Sequence, residues 1–135
     1  MSYLTKRILV VDDCVDTIEL IKASLKEYEV ISSLTVSEAK KHLANMSPDL
    51  VILDVELPDG NGFDLCSELV FAKKLGTAAP IIFLTAKREV SEKVMGLYSG
   101  AEDYITKPFS AQELNARVAA RLRSSQLKNM ELSVC

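Results

Sequence analysis

Pro48-Asp49-Leu50-Val51-Ile52-Leu53-Asp54 is a β-rich apolar run that ends abruptly on a carboxylate. Nothing polar alternates inside Leu50–Leu53, so both faces of this strand are expected to be buried, as in a parallel sheet covered by helices. Two more runs have the same character, Ile8-Leu9-Val10-Val11 and Ile81-Ile82-Phe83-Leu84. Weaker strands are expected around Val30 to Leu34 and around Asp103 to Thr106.

Helix-period segments fill the intervals. Ile18, Ile21 and Leu25 share one face, and so do Ala39, Leu43 and Met46. Phe63, Cys66, Leu69 and Val70 form a third stripe, Val90, Val94 and Leu97 a fourth, and Leu114, Val118 and Leu122 a fifth. Ser37 before Glu38 and Ser110 three residues before Glu113 read as helix starts, and Gly100 as the close of the fourth helix. Five βα units with right-handed crossovers predict a doubly wound α/β fold, with helices on both faces of one five-stranded parallel sheet. After about Arg123 the helical pattern weakens, and residues 124–135 read as a helix extension, a linker or a tail.

The whole chain bounds the function. Its 135 residues, 48% hydrophobic and 26% charged, suit one folded domain. A net charge of −3 gives no basic surface for nucleic acid. Three widely spaced cysteines and a single histidine, His42, argue against a zinc site or a disulfide framework. The opening residues contain no cleavable apolar segment and no run is long enough to span a bilayer, so a cytoplasmic protein with no membrane partner is expected.

In a parallel sheet, ligands gather beyond the carboxyl ends of the strands. Asp12 and Asp13 follow the first strand, Asp54 the third, Thr85 the fourth and Lys107 the fifth. Taken singly, each has a plain reading: a helix cap for the aspartates, a loop cap for Thr85, a solvated charge for Lys107. Together they place three carboxylates at one edge, where mutual repulsion would raise their pKa values unless a cation intervened. Mg²⁺, with its preference for oxygen ligands, would with Lys107 neutralise the three and admit a dianionic phosphoryl group.

These segments resemble the receiver domain of two-component response regulators. The resemblance is carried by Ile8–Asp13, Pro48–Asp54, Leu57-Pro58-Asp59-Gly60-Asn61-Gly62, Ile81–Ala86 and Gly100–Phe109, in the family's order and spacing. It covers residues 6 to about 123, places the receiver in residues 1–123, and points to the class usually attached to winged-helix DNA-binding domains. The fold it implies is flavodoxin-like, strand order 2-1-3-4-5, with five helices.

By resemblance, Asp54 is the phosphoacceptor, supplied by a sensor histidine kinase or a histidine phosphotransfer protein. Asp13, Asp54 and the Glu56 carbonyl would ligate Mg²⁺, or Mn²⁺ as a substitute, with Asp12 acting through a coordinated water. Lys107 and Thr85 would hold phosphoryl oxygens, and Lys107-Pro108 would be a cis peptide. Thr85 and Tyr104 would form the switch. Lys93, Asp103, Glu113 and Arg117 would lie on the face of the fourth helix, fifth strand and fifth helix, where Lys93–Glu113 and Asp103–Arg117 pairs could join a homodimer. Such a domain is a signalling phosphoprotein that catalyses only its own phosphorylation and dephosphorylation, and it makes no direct contact with nucleic acid. Cys14 departs from the pattern, standing where many relatives carry an acidic residue.

Three other readings compete. A pseudo-receiver would bind proteins on the same fold without phosphate, against the intact acidic set. A flavin carrier would need a phosphate loop where Asp12 and Asp13 stand. A metal-dependent phosphatase would need a substrate pocket that no motif marks.

Overall fold

The computed structural model describes residues 5–74, 79–86 and 103–134. The main sheet is built from β1 (Arg7–Val11), β2 (Glu29–Ser33), β3 (Leu50–Leu53), β6 (Ile81–Thr85) and β7 (Asp103–Thr106). All four pairings are parallel, in the order β2-β1-β3-β6-β7. The chain order reverses at β1, which opens a crevice beyond the carboxyl ends of β1 and β3. Helices α1 (Val15–Ser24), α2 (Val36–Asn45), α3 (Gly62–Lys74) and α4 (Ala111–Val134) accompany the sheet. This is the flavodoxin-like fold that the sequence predicts.

Alternate residues of each apolar run feed two separate cores, as the two-residue period of a strand requires. Ile8, Val10, Ile52, Ile82 and Leu84 pack with Ile18, Ile21 and Leu25 of the α1 region and with Leu114 and Val118 of α4. Leu9, Val11, Val51, Leu53 and Phe83 pack with Ala39 of α2 and with Phe63, Leu65 and Cys66 of α3. The continuous hydrophobicity of the runs is thus the trace of burial on both faces.

Several details differ from the sequence reading. The start of α2 is capped by Thr35, not Ser37: the Thr35 hydroxyl accepts from the Glu38 N–H at 3.0 Å. Glu38 in turn accepts from the Leu34 N–H at 3.1 Å, a variant of the reciprocal cap that fixes the helix start one turn before Ala39. Neither Asp12 nor Asp13 caps α1, whose first flanking residue is Cys14. Ser110 does cap α4, accepting from the Glu113 N–H at 3.0 Å. A small antiparallel hairpin, β4 (Glu56–Leu57) and β5 (Gly60–Asn61), follows β3, where the sequence reading expects no strand. Helix α4 continues past Arg123 to Val134. The predicted fourth of five helices, with Val90, Val94 and Leu97, lies outside the described residues.

Candidate functional site

The crevice at the carboxyl edge is built by strand ends. Asp12 follows β1, and its N–H donates to the Ser33 carbonyl at 3.0 Å. Asp54 follows β3, and its N–H donates to the Val11 carbonyl at 2.9 Å. The ladder therefore holds both residues at one height. Carboxylate oxygens of Asp12, Asp13 and Asp54 all lie within 4.8 Å of one another. Asp12 is 1% exposed and Asp54 9%, whereas Asp13 is exposed to solvent.

Lys107, just beyond β7, reaches across to this cluster. Its Nζ is 2.7 Å from Asp12 Oδ2 and 3.3 Å from Asp54 Oδ2. The Lys107-Pro108 peptide is cis. Burial pushes the Asp54 carboxyl above the usual carboxylate range and the Asp12 charge adds to that, outweighing the opposing pull of Lys107. For Lys107, burial alone favours the neutral amine, but the pairs with Asp12 and Asp54 outweigh it and hold the ammonium above its ordinary pKa.

The donor set fits a hard divalent cation. Three carboxylates, two of them buried, offer oxygen ligands only, which suits Mg²⁺ or Mn²⁺ and not a soft metal. Asp12 Oδ1 accepts from the Cys14 N–H at 2.8 Å. Asp12 Oδ2 is buried and, apart from the ion pair with Lys107, has no hydrogen-bond partner. A buried acceptor with spare capacity is what a metal-bound water would satisfy. Exposed Asp13 leaves the cluster open to solvent on one side.

The remaining predicted residues distribute as follows. Glu56 opens β4, two residues beyond Asp54. Thr85 ends β6 in register with Thr106 of β7, and its side chain lies outside the described set. Tyr104 is partly buried, its ring 5.7 Å from that of Phe83. Arg117 of α4 pairs within the chain with Asp103 at 2.7 Å and Glu113 at 3.3 Å. Lys93 lies outside the described residues.

Two features escape a sequence reading. Gly62 serves close approach: a Cβ there would come 2.0 Å from the carbonyl oxygen of Asp54. Its N–H donates to the Val55 carbonyl at 2.7 Å, closing the hairpin onto the end of β3. Asp59, at the hairpin tip, accepts from the Val36 N–H at 2.7 Å and the Ser37 N–H at 3.0 Å, the first two donors of α2. Those bonds hold its carboxyl below the usual range. Only the Leu-Pro-Asp-Gly turn composition hints at a hairpin, and no local signal points to a helix more than twenty residues away.

The family model described as the response regulator receiver domain matches residues 8–119. The chain is 44% identical over 138 residues to the alkaline phosphatase synthesis transcriptional regulatory protein PhoP of Bacillus subtilis, covering 96% of this chain and 56% of that one. It is 39% identical over 135 residues to the DNA-binding response regulator MtrA of Mycobacterium tuberculosis, covering 98% of this chain and 57% of that one. The chain thus spans a little over half the length of the curated relatives it matches. Among solved structures, a CheY-like response regulator receiver domain from Methanospirillum hungatei superposes with a TM-score of 0.83 at 29% identity, covering 92% of this chain and 98% of that one. With the motifs, the sheet order and the acidic crevice in agreement, this chain belongs to the response regulator receiver domain family.

Proposed function

We propose that Asp54 accepts a phosphoryl group from the phosphohistidine of a sensor histidine kinase or histidine phosphotransfer protein, in a Mg²⁺-dependent reaction. The observation that carries this reading is the convergence of Asp12, Asp13, Asp54 and Lys107 at one crevice from distant points of the chain. One Asp54 oxygen forms a bond to phosphorus while the phosphorus–nitrogen bond of the donor breaks and leaves its electron pair on the imidazole. Asp13, Asp54 and the Glu56 carbonyl are the proposed direct ligands of Mg²⁺, with Asp12 bound through water. When bound, the metal supplies charge neutralisation and orients phosphoryl oxygens. Lys107, already within 3.3 Å of Asp54 Oδ2, holds a phosphoryl oxygen. Mn²⁺, another hard cation, is the expected substitute.

The proposed switch is an exchange of partners. Thr85 binds another phosphoryl oxygen, and Tyr104 turns inward from its packing beside Phe83, shifting a two-state equilibrium. The altered face includes Asp103, Glu113 and Arg117 with Lys93, and a homodimer through it would trade the in-chain pairs of Arg117 for pairs with a second copy. The receiver is assigned to residues 1–123 and the rest of the chain to an extension. The names of PhoP and MtrA suggest a transcriptional output, delivered by a winged-helix domain beyond this chain and not by direct DNA contact here. Among the described residues no helix is long and apolar enough to cross a membrane.

Incubation with Mg²⁺ and acetyl phosphate is expected to give an acid-labile phosphoryl mass gain, absent without metal and absent in Asp54→Asn. No gain in the wild type would leave a pseudo-receiver, a protein-binding module on the same fold.

A further inference from the structure

We propose that Asp59 is a positioning residue for the metal site. By clamping the hairpin to the start of α2, it holds the loop after Asp54 in its metal-binding geometry. The inference rests on the roles assigned above to Asp54 and the Glu56 carbonyl.

A hairpin with two residues per strand has little stability of its own, so its attachments must set its placement. At the root, Gly62 donates to the Val55 carbonyl at 2.7 Å and packs too close to Asp54 for any side chain. Beside it, the Asn61 side chain accepts from the Phe63 N–H at 2.6 Å and starts α3. At the tip, both Asp59 oxygens engage α2, and Gly60 sits so near Val36 that a Cβ would lie 3.1 Å from its Cγ2. Glu56 stands between root and tip, paired with Asn61. Removing the tip attachment therefore loosens the segment that carries the Glu56 carbonyl, and leaves the strand ends of Asp12 and Asp54 in the ladder.

Helix α2 has its own local cap in Thr35 and Glu38, which satisfies the Glu38 N–H without the hairpin. Asp59 satisfies the two remaining donors of the first turn, where a negative charge also favours the helix dipole. Two independent devices thus hold the same helix start, and only one of them touches the loop of the site. Linkage makes the coupling reciprocal: if Asp59 favours metal binding, the metal must favour the Asp59 clamp.

The test is a Mg²⁺ titration followed by NMR amide shifts, on wild type, Asp59→Ala, Asp59→Asn and Thr35→Ala, below each melting temperature. Asp59→Ala is expected to weaken Mg²⁺ binding about tenfold, the order for groups that orient a metal's ligands without touching the metal. Asp59→Asn, which keeps one acceptor oxygen, is expected to weaken it less. Thr35→Ala disturbs the same helix start but leaves Mg²⁺ affinity unchanged. In the wild type, Mg²⁺ slows hydrogen exchange at the Val36 and Ser37 amides. The proposal is overturned if Asp59→Ala binds Mg²⁺ as wild type does, or if Thr35→Ala weakens it equally. It is also overturned if the loss vanishes at high salt, which would mark a bare charge effect. Wild type that binds Mg²⁺ with Asp59→Ala unaffected defeats this inference alone; wild type that binds none defeats the proposed function with it.

Discussion

Two places in this molecule set one cation against two carboxylates at the same distances. Lys107 lies 2.7 Å from Asp12 and 3.3 Å from Asp54. Arg117 lies 2.7 Å from Asp103 and 3.3 Å from Glu113. Their surroundings differ. The Asp12 and Asp54 side chains are 1% and 12% exposed, whereas Arg117 and Glu113 are 41% and 43% exposed. A third carboxylate, Asp13, joins only the first cluster. Contact length does not set the energy of an ion pair; desolvation and charge balance do. The buried cluster is short of positive charge, which is the condition for taking up a metal. The surface cluster has water to make up any deficit.

The largest expected effect comes from removing the buried cation. Lys107→Ala leaves Asp12 and Asp54 facing each other uncompensated, and should cost about 3 kcal/mol in metal-free buffer. Urea denaturation measures this, and added Mg²⁺ should restore part of the loss. A neutral outcome would mean that the crevice is already hydrated enough to behave like the surface cluster. Next in size is the metal itself. Mg²⁺ at a hundred times its dissociation constant should stabilise the wild type by about 2.7 kcal/mol. Asp13→Asn should lose most of that gain while changing the metal-free stability little, since Asp13 is exposed. Equal stabilisation of wild type and Asp13→Asn by Mg²⁺ would place the ion elsewhere.

The contrast between the two clusters is only half legible in the sequence. Leu50–Leu53 and Ile8–Val11 announce buried parallel strands because no polar residue interrupts them, and a strand end fixes the height of the residue after it. Strand ends alone therefore place Asp12, Asp54 and Lys107 at one edge. Asp103 and Arg117 can be matched by charge too, but as partners across a dimer; the structure pairs them within one chain at 2.7 Å. The hairpin leaves no such trace, because two residues per strand have no period to detect. The Asp59 clamp leaves none either, because it joins positions 22 and 23 residues apart. Thr35 and Ser37 are both hydroxyl residues close to Glu38, and the extended backbone at Thr35, φ −141° and ψ 162°, decides between them.

Neutralising Asp54, the proposed phosphoacceptor, should have the opposite sign to removing Lys107. The folded-state pKa of Asp54 is raised, chiefly by burial. The unfolded chain therefore gives up this proton first, and the wild type loses stability as pH rises from the ordinary carboxylate value through the raised one. Asp54→Asn has no such proton to lose. At neutral pH without metal it should be more stable by about 1–2 kcal/mol, the order of the penalty for a buried polar group whose partners do not fully offset its desolvation. Below the ordinary carboxylate pKa the difference should shrink. A variant less stable than wild type at neutral pH would show that Lys107 already balances Asp54 in full.

The smallest effect is expected at the surface cluster, and it sharpens the comparison most directly. Arg117→Ala removes two ion pairs with the same lengths as those of Lys107, yet should cost only about 0–1 kcal/mol. Its partners do not become stranded charges, because Glu113 is exposed and Asp103 is partly so. Screening gives a second handle. At 1 M salt the Debye length falls to about 3 Å, so the cost of Arg117→Ala should vanish while most of the cost of Lys107→Ala persists. Thermal melts of both variants at low and high salt would show this as one pair of curves that converges and one that does not. If both converge, the crevice is solvated like the surface, and burial no longer explains why only one of the two clusters calls for a metal.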